Sequence, residues 1–531
     1  MMHREKFLYW FCAFSALYHF TSRVGMSIDI QWHTDVGRDE FLTPPHVMVL
    51  AGLPICIFLC LYYIISSKKI RQELVVENDT EYNFFGFYAP IEIWFTLVGM
   101  LTIIVGAFYD NYWHAQFGVD TTIVTPPHML TLSGGMIAEF SAILLIHRYL
   151  KESGKKFDGI MTVSLLLLLW TLLFHLSFAS LNFMDSRYVF TEVFGFNLML
   201  HFFIAPVILF FMIKLCKDFF GELKLIQFGL ATLAIHVFLL VMNPIFVDLL
   251  MNEGHVYRPG ATTPVWSAHS VTWFFLPLCL LNVKFNLTEK PLIFIPILLA
   301  SDVLFSPFTP QFFAFDKGVP TLLANIILAL VFTHLMARVA TIYLDDLAGS
   351  EAKSRRLSLN LTPVIAVLMI LLVSPVSAHH PTFIPGNGLD APMRVQTHLD
   401  DTIVEVEFML WPPKAPQQCE IMLLATESEQ DVESLWIEIL FEDELDDVIM
   451  PQDFEKFTEQ DIWLGDVRFT FSGNQTIIVK GIIDGELKQD SFQIDVEEPT
   501  TVPVWLGWLI STLWASGLVY LPWRFAKRSE S

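Results

Sequence analysis

The sequence predicts a polytopic α-helical membrane protein of about 12 spans, carrying a C-terminal antiparallel β-sandwich on the outer side of the membrane. Three observations predict it. The chain of 531 residues is 54% hydrophobic and only 16% charged, too little charge to cover a water-soluble surface. Apolar runs of membrane length recur along it, and Lys and Arg are dense in every second loop between them. From about Pro381 to Glu498 the pattern changes to short runs in which every second residue is apolar.

The first apolar run, about Phe7 to Gly25, follows a basic start (His3, Arg4, Lys6). No small-residue cleavage site follows it, so it reads as an anchor. Further runs cover about 46–66, 91–109, 128–147, 159–180, 195–215, 222–243, 267–283, 291–308, 319–341, 359–378 and 503–523. With the N-terminus inside, the inner loops collect clusters such as Lys68, Lys69 and Arg71, or Arg148, Lys151, Lys155 and Lys156. The short outer loops hold only Arg38, Arg187, Arg258 and Lys317, with Arg23 near a helix end. The implied location is the cell (inner) membrane, multi-pass, with 379–502 on the outer, periplasmic side.

Four regions follow from this reading. Residues 1–157 form duplicated two-helix units, 158–378 the remaining membrane bundle, 379–502 the outer sandwich, and 503–531 a final anchor with a basic tail. The run 359–378 has a second meaning. Lys353, Arg355 and Arg356, an apolar stretch and Val-Ser-Ala before His379 have the layout of a secretory signal, whose cleavage would free the amino group of His379. A fusion of two ancestral genes explains the same layout.

The sandwich expectation rests on TIVEVEFML, SLWIEILFE, VRFTFSG, QTIIVKGII and SFQIDVEE, each bounded by turn residues. The formal charge of −23 is concentrated there, with 27 acidic against 6 basic residues between His379 and Thr501. Such a domain argues against nucleic acid and suits cations or a basic partner. Five of the six cysteines fall in apolar runs; Cys419 alone lies in the sandwich, which therefore has no internal disulfide. Cys56 and Cys60, four apart, read as buried helix residues rather than soft ligands.

One stretch occurs twice. Asp29 to His46 reads DIQWHTDVGRDEFLTPPH, and Asp110 to His128 reads DNYWHAQFGVDTTIVTPPH. Both share the Asp, Trp-His at the third and fourth positions beyond it, then Gly, Asp and Thr-Pro-Pro-His. The second has one extra residue after the inner Asp. Asp29 and His33, like Asp110 and His114, are four apart and share a helix face. Thr43 or Thr125 suits an N-cap, with Pro44 or Pro126 at the first helical position, which puts His46 or His128 in the first turn of the next helix. A carboxylate and two imidazoles converging from two helix ends make a three-ligand metal site, and N/O ligation suits Cu(II), Zn(II) or Fe(II). Asp39 and Asp120 are candidates to accept from an imidazole N–H behind the metal. The competing reading is helix-end geometry alone, with histidines bonded to neighbouring helices. The extra residue points to altered geometry in the second copy.

The first copy resembles a metal-site segment of the copper membrane monooxygenases, the particulate methane and ammonia monooxygenases, in one of their membrane-spanning chains. Asp29, Trp32, His33, Arg38, Asp39, Thr43, Pro44 and His46 stand at that family's spacing; in the second copy Val119 replaces the Arg. The resemblance covers about 18 residues per copy. It implies copper held by Asp29, His33 and His46, and a second or degenerate copper site at Asp110, His114 and His128. The C-terminal layout is similar to a different chain of those enzymes, which has an outer sandwich with an N-terminal copper-binding His. His379, His380 and His398 are the corresponding secondary candidates here, without a later His-x-His pair.

Weaker signals complete the reading. Asp248, His255 and His269 faintly echo the motif. His19, His175, His201 and His236 lie inside apolar runs, where ionisable residues are functional candidates, as haem-ligand pairs or as neutral histidines bonded to neighbouring helices. The acidic run Glu442–Asp447 lacks calcium-loop spacing. No phosphate loop, nucleophile elbow or HExxH occurs. The sequence thus predicts a copper protein that oxidises a small substrate with dioxygen, in contact with membrane lipid and with a redox partner or other membrane subunits. Copper uptake and transport is the first alternative, and a non-metal assembly role the second.

Overall fold

A computed structural model describes residues 4–35, 43–73, 82–84, 86–117, 119–120, 125–181, 191–193, 196–198, 200–251, 274–305, 318–347, 393–408, 410–411, 413, 418–426, 431–441, 444–447, 454–457, 462–498, 505–507 and 509–514. The described chain is mostly helical. Its helices are α1 (Arg4–Asp35), α2 (Pro44–Leu50), α3 (Leu53–Glu73), α4 (Ile91–Phe117), α5 (Pro126–Ser153), α6 (Gly159–Leu181), α7 (Leu200–Phe220), α8 (Glu222–Leu250), α9 (Phe275–Phe285), α10 (Pro291–Phe305) and α11 (Gly318–Leu347).

Among the described residues, six stretches are helical, long and apolar enough to cross a membrane: Pro44–Ser66, Ile91–Trp113, Pro126–Ser153, Gly159–Ser177, Glu222–Leu250 and Leu322–Asp345. Each coincides with a run read from the sequence. The protein is therefore a multi-pass membrane protein by its helices. Large apolar side chains such as Phe58, Phe108 and Leu249 stay exposed on them, the surface expected of a helix facing lipid. The runs at 267–283 and 291–308 give shorter apolar helices, Phe275–Phe285 and Pro291–Ser301, separated by a turn in which Asn286 takes a left-handed C-cap conformation (φ 51°). The run 359–378 lies outside the described residues.

α1 is not among the six, although it is 32 residues long. Ser15, His19, Ser22, Arg23, Ser27 and Gln31 interrupt its apolar sequence, and all six are buried. Their spacing of three to four places them on one face. That face is turned inward: α1 packs on α2, α3, α5, α6 and α8, more partners than a peripheral helix would have. Asn243 of α8 donates to the Ser27 carbonyl oxygen (3.2 Å) and hydroxyl (2.8 Å), satisfying one part of the stripe. The main core joins Phe11 of α1, Ile143 of α5, Trp170 of α6, Phe210 of α7, Phe228 of α8 and Phe294 of α10.

The direction of α1 fixes where the repeated motifs lie. At its start, Tyr9 donates to Asp158 (2.9 Å) and Glu5 pairs with Lys155, so the N-terminus of α1 meets the turn after α5. The end of α1 and the start of α5 are therefore at the opposite end, and both motifs share that end.

Short strands join the helices: β1 (Tyr82–Phe84) with β2 (Phe87–Ala89), β3 (Val119–Asp120), and β4 (Thr191–Val193) with β5 (Phe196–Leu198). The C-terminal region supplies β6 (Met393–Leu399), β7 (Thr402–Phe408), β8 (Leu410–Trp411), β9 (Gln418–Thr426), β10 (Val432–Phe441), β11 (Glu444–Asp447), β12 (Phe454–Phe457), β13 (Ile462–Arg468), β14 (Gly473–Ile483) and β15 (Glu486–Val496). They form two antiparallel sheets, ordered β12-β13-β9-β7-β6 and β11-β10-β14-β15. Alternation along β14 buries Ile477, Val479 and Ile483, which share one core with Val404, Val406 and Phe408 of the other sheet. Asp490 of β15 links the two edges by accepting from the Thr397 hydroxyl and the His398 backbone N–H (3.2 Å) of β6.

Contacts among the described residues tie this region to the membrane helices. β3, in the loop of the second motif, pairs with β8, matching Val119 to Trp411 and Asp120 to Leu410. Helical residues 505–507 and 509–514 then return to the same two-helix unit. Ser511 donates to the Pro126 carbonyl (2.9 Å), Trp514 Nε1 donates to the Thr102 hydroxyl (3.0 Å), and Gly507 lies against Trp113 and Tyr109.

Candidate metal centre

Asp29 lies near the end of α1 and His46 in the first turn of α2. Thr43 has the extended N-cap conformation (φ −62°, ψ 155°), its hydroxyl accepts from the His46 N–H (3.4 Å), and the prolines fill the first helical positions. This cap holds His46 so that its Nε2 is 3.3 Å from Asp29 Oδ1. The second copy builds the same pair without the cap's side-chain bond. Thr125 is extended (φ −110°, ψ 157°) but makes no side-chain cap hydrogen bond, and His128 Nε2 is 3.1 Å from Asp110 Oδ1. The Asp–His separation is therefore alike in the two copies despite the extra residue. It falls after Asp120, outside the two helix ends that set the pair.

Close helix approach accounts for the pairs, through residues the motif as read from sequence left out. Gly25 and Gly106 each stand four residues before the motif Asp. A Cβ on Gly25 would lie 2.9 Å from Met48 Cβ and 3.1 Å from the Val49 nitrogen; one on Gly106 would collide with Thr131. Gly52 and Gly134, each six residues beyond the motif His, complete the pattern: Gly52 lies against Tyr18, and a Cβ on Gly134 would come within 2.7 Å of the Gly99 carbonyl oxygen. Tyr18 and Gly99 are themselves equivalent, each eleven residues before the motif Asp. The repeat thus extends from the loop into the packed helix pairs, where small residues let backbones approach. The signal was present in the sequence as glycines at repeated offsets. Trp32 and Trp113, also shared by the two motifs, are buried, so they serve packing.

The separations are those of a hydrogen-bonded Asp–His pair, and the same N and O donors are of the kind that transition metals take. Two ligands each about 2.1 Å from a metal stand about 3.0 Å apart at a right angle and about 3.4 Å apart at the tetrahedral angle. The observed 3.3 and 3.1 Å lie within that range. Asp29, His46, Asp110 and His128 are about one-fifth to one-third exposed, while the two Oδ1 atoms that face the histidines are themselves buried. His33 and His114 occupy helical positions one turn beyond Asp29 and Asp110, on the same face; their side chains lie outside the described residues. Among the described residues no three His, Cys, Asp or Glu side chains come together as a metal site. What is described is therefore an Asp–His pair in each copy.

The remaining candidates are spread out. Asp39, His255, His269, His379 and His380 lie outside the described residues; Asp120 is placed only by its backbone in β3. His398 is exposed on β6 and paired with Ile403 in the sheet. His236 is buried beside Trp170 (ring centroids 6.0 Å apart). His19 and His175 are buried and meet at Glu139, a residue that sequence reading passed over. A lone Glu inside the apolar run of α5 carries no spacing signal. No protein-family model, curated protein or solved structure matches the chain.

Proposed function

We propose that the protein is a copper-binding membrane protein in which Asp29, His33 and His46 hold one ion and Asp110, His114 and His128 a second. The single observation that carries this reading is the recurrence of the Asp–His pair, at 3.3 and 3.1 Å, at the same end of the helices. A pair met once would be ordinary helix-end bonding. Built twice by glycine-backed helix pairs, it is better explained by a shared ligand-holding task. In this reading the motif end faces outward and the two C-terminal sheets form a sandwich on the periplasmic side, as the Lys and Arg distribution suggests. Zinc and iron compete for the same donors.

Within such a site the chain's own residues do the positioning. The Thr43 cap and Gly25 fix His46 against Asp29, and the packed helices keep water from one side. Bound copper would supply dioxygen chemistry towards a small substrate entering from lipid. Oxygen insertion also consumes electrons, so a redox partner or other membrane subunits belong to the reading. One observation favours a second reading, copper capture and transport. β8 pairs with β3 inside the second motif's loop, which suits transfer of an ion from an acidic outer domain to Asp110 and His128.

Metal analysis by mass spectrometry of the protein purified in detergent tests the shared claim. Oxygen-dependent product formation against copper uptake into vesicles then divides enzyme from transporter. Unaltered metal content in His46→Ala and His128→Ala would sink both.

A further inference from the structure

Away from the motif end, three helices bring ionisable groups together inside the bundle. Glu139 of α5, His19 of α1 and His175 of α6 are fully buried, and Arg23 of α1 is 5% exposed. His175 Nδ1 is 3.1 Å from Glu139 Oε2. On the other carboxylate oxygen, Arg23 Nε stands at 3.4 Å and His19 Nδ1 at 3.7 Å. The guanidinium also donates to the Ser22 hydroxyl (3.2 Å) and lies 3.2 Å from Met26 Sδ. Glycine makes the room: a Cβ at Gly135 would sit 2.5 Å from His175 Cε1.

Ionisable groups in a bilayer core are costly, so four in one contact need a reason beyond packing. Arg23 and Glu139 cancel each other's charge, which lowers the cost of burial and leaves both imidazoles free to be neutral. Yet both nitrogens of His19, His175 Nε2 and Glu139 Oε1 are buried without a hydrogen-bond partner among the described residues. A structural ion pair would not keep so many open donor and acceptor positions. Arg23, beside the carboxylate, repels a metal cation. A proton remains as the species the cluster can accept.

We propose that the Glu139–His175–His19–Arg23 cluster is an intramembrane proton-exchange site. A hydrated proton (hydronium) gives its proton to His175 Nε2, leaving water, and the Nδ1 proton passes to Glu139 Oε2. The imidazole stays neutral and Glu139 becomes a carboxylic acid, its charge no longer balancing Arg23. For release the carboxyl group turns its O–H to the His19 side, and the proton passes to His19 Nδ1 (3.7 Å from Oε1) as His19 gives up its Nε2 proton to a water molecule. Glu139 is again a carboxylate against Arg23, beside the buried stripe of α1 that contains Ser15, Ser22, Ser27 and Gln31. Tyr18, also buried, is the remaining ionisable side chain of α1 beside the cluster. α4, packed on α5, contributes Glu92, which is taken up in a separate pair with Arg148 (2.9 Å). The site owes nothing to copper and stands if the metal reading fails.

Infrared pH-difference spectra of the full chain in lipid vesicles test it, taken from about pH 3 to about pH 8 so that carboxyl and imidazole changes are both covered. The wild type minus Glu139→Gln difference is expected to contain a carboxylic-acid band, and His175→Gln is expected to displace its midpoint. Nitrogen NMR of wild-type protein labelled in histidine gives the same answer without any variant: one buried histidine exchanging tautomer over that range. Should Glu139→Gln fail to fold, the NMR result with His19→Gln decides. Spectra with no carboxyl difference and no pH-dependent buried histidine would overturn the site.

Discussion

Asp110 Oδ1 stands 3.1 Å from His128 Nε2, as close as Asp29 stands to His46, although the intervening chain is one residue longer. The separation is set by two helix ends held together over Gly106, not by the length of the loop. The pair is thus a property of helix packing, and the packing can be tested apart from the ligands.

Gly106→Ala is expected to lower stability by roughly 1–3 kcal/mol, the usual cost of forcing an extra carbon into a packed contact. The built Cβ meets the backbone of Thr131, which cannot swing aside. Thermal unfolding in detergent measures it, and Gly25→Ala should behave alike because its nearest neighbours also include backbone atoms. Wild-type stability in both variants would show that the helix pairs are looser than these contacts imply.

At the edge of the C-terminal sheets, the Thr397 hydroxyl, then the Ser491 and His398 N–H groups, hold the Asp490 carboxyl below its ordinary value by donating to the charged form. A lowered carboxylate stabilises the fold above its unfolded value of about 4 and loses that contribution as pH falls through the folded value. Asp490→Ala should therefore destabilise the region at neutral pH, by no more than about 1 kcal/mol since the group is still partly solvated. The difference from wild type should vanish in acid. A difference independent of pH would contradict this account of the edge.

Metal affinity should also follow pH. Ligation needs unprotonated imidazoles and carboxylates, so protons compete with the ion and affinity is expected to fall as the solution is made acid. Equilibrium dialysis at graded pH checks this; flat binding would point to other ligands.

How much of this was legible in the sequence depends on whether a residue belonged to a pattern. Asp29, His46, Asp110 and His128 were found because they recur at fixed offsets, and the Thr43 cap followed from Thr-Pro-Pro. Gly25 and Gly106 recur at equal offsets too, but a glycine in an apolar run looks ordinary until a second helix is seen against it. Glu139 had no pattern at all. Its partners come from α1 and α6, and only tertiary packing places His19, Arg23 and His175 around it. The polar stripe that makes α1 central also disguises it, since those residues break up its apolar run and α1 is not among the six described stretches apolar enough to cross a membrane.

The central claim is that two Asp–His pairs belong to metal sites. The most direct test is the copper content per chain of purified wild type, Asp29→Ala, His46→Ala, Asp110→Ala and His128→Ala, each checked for folded monodisperse protein. Loss in either half of the set, with further loss when the halves are combined, is the predicted result. Copper content equal to wild type in all four variants would contradict the account.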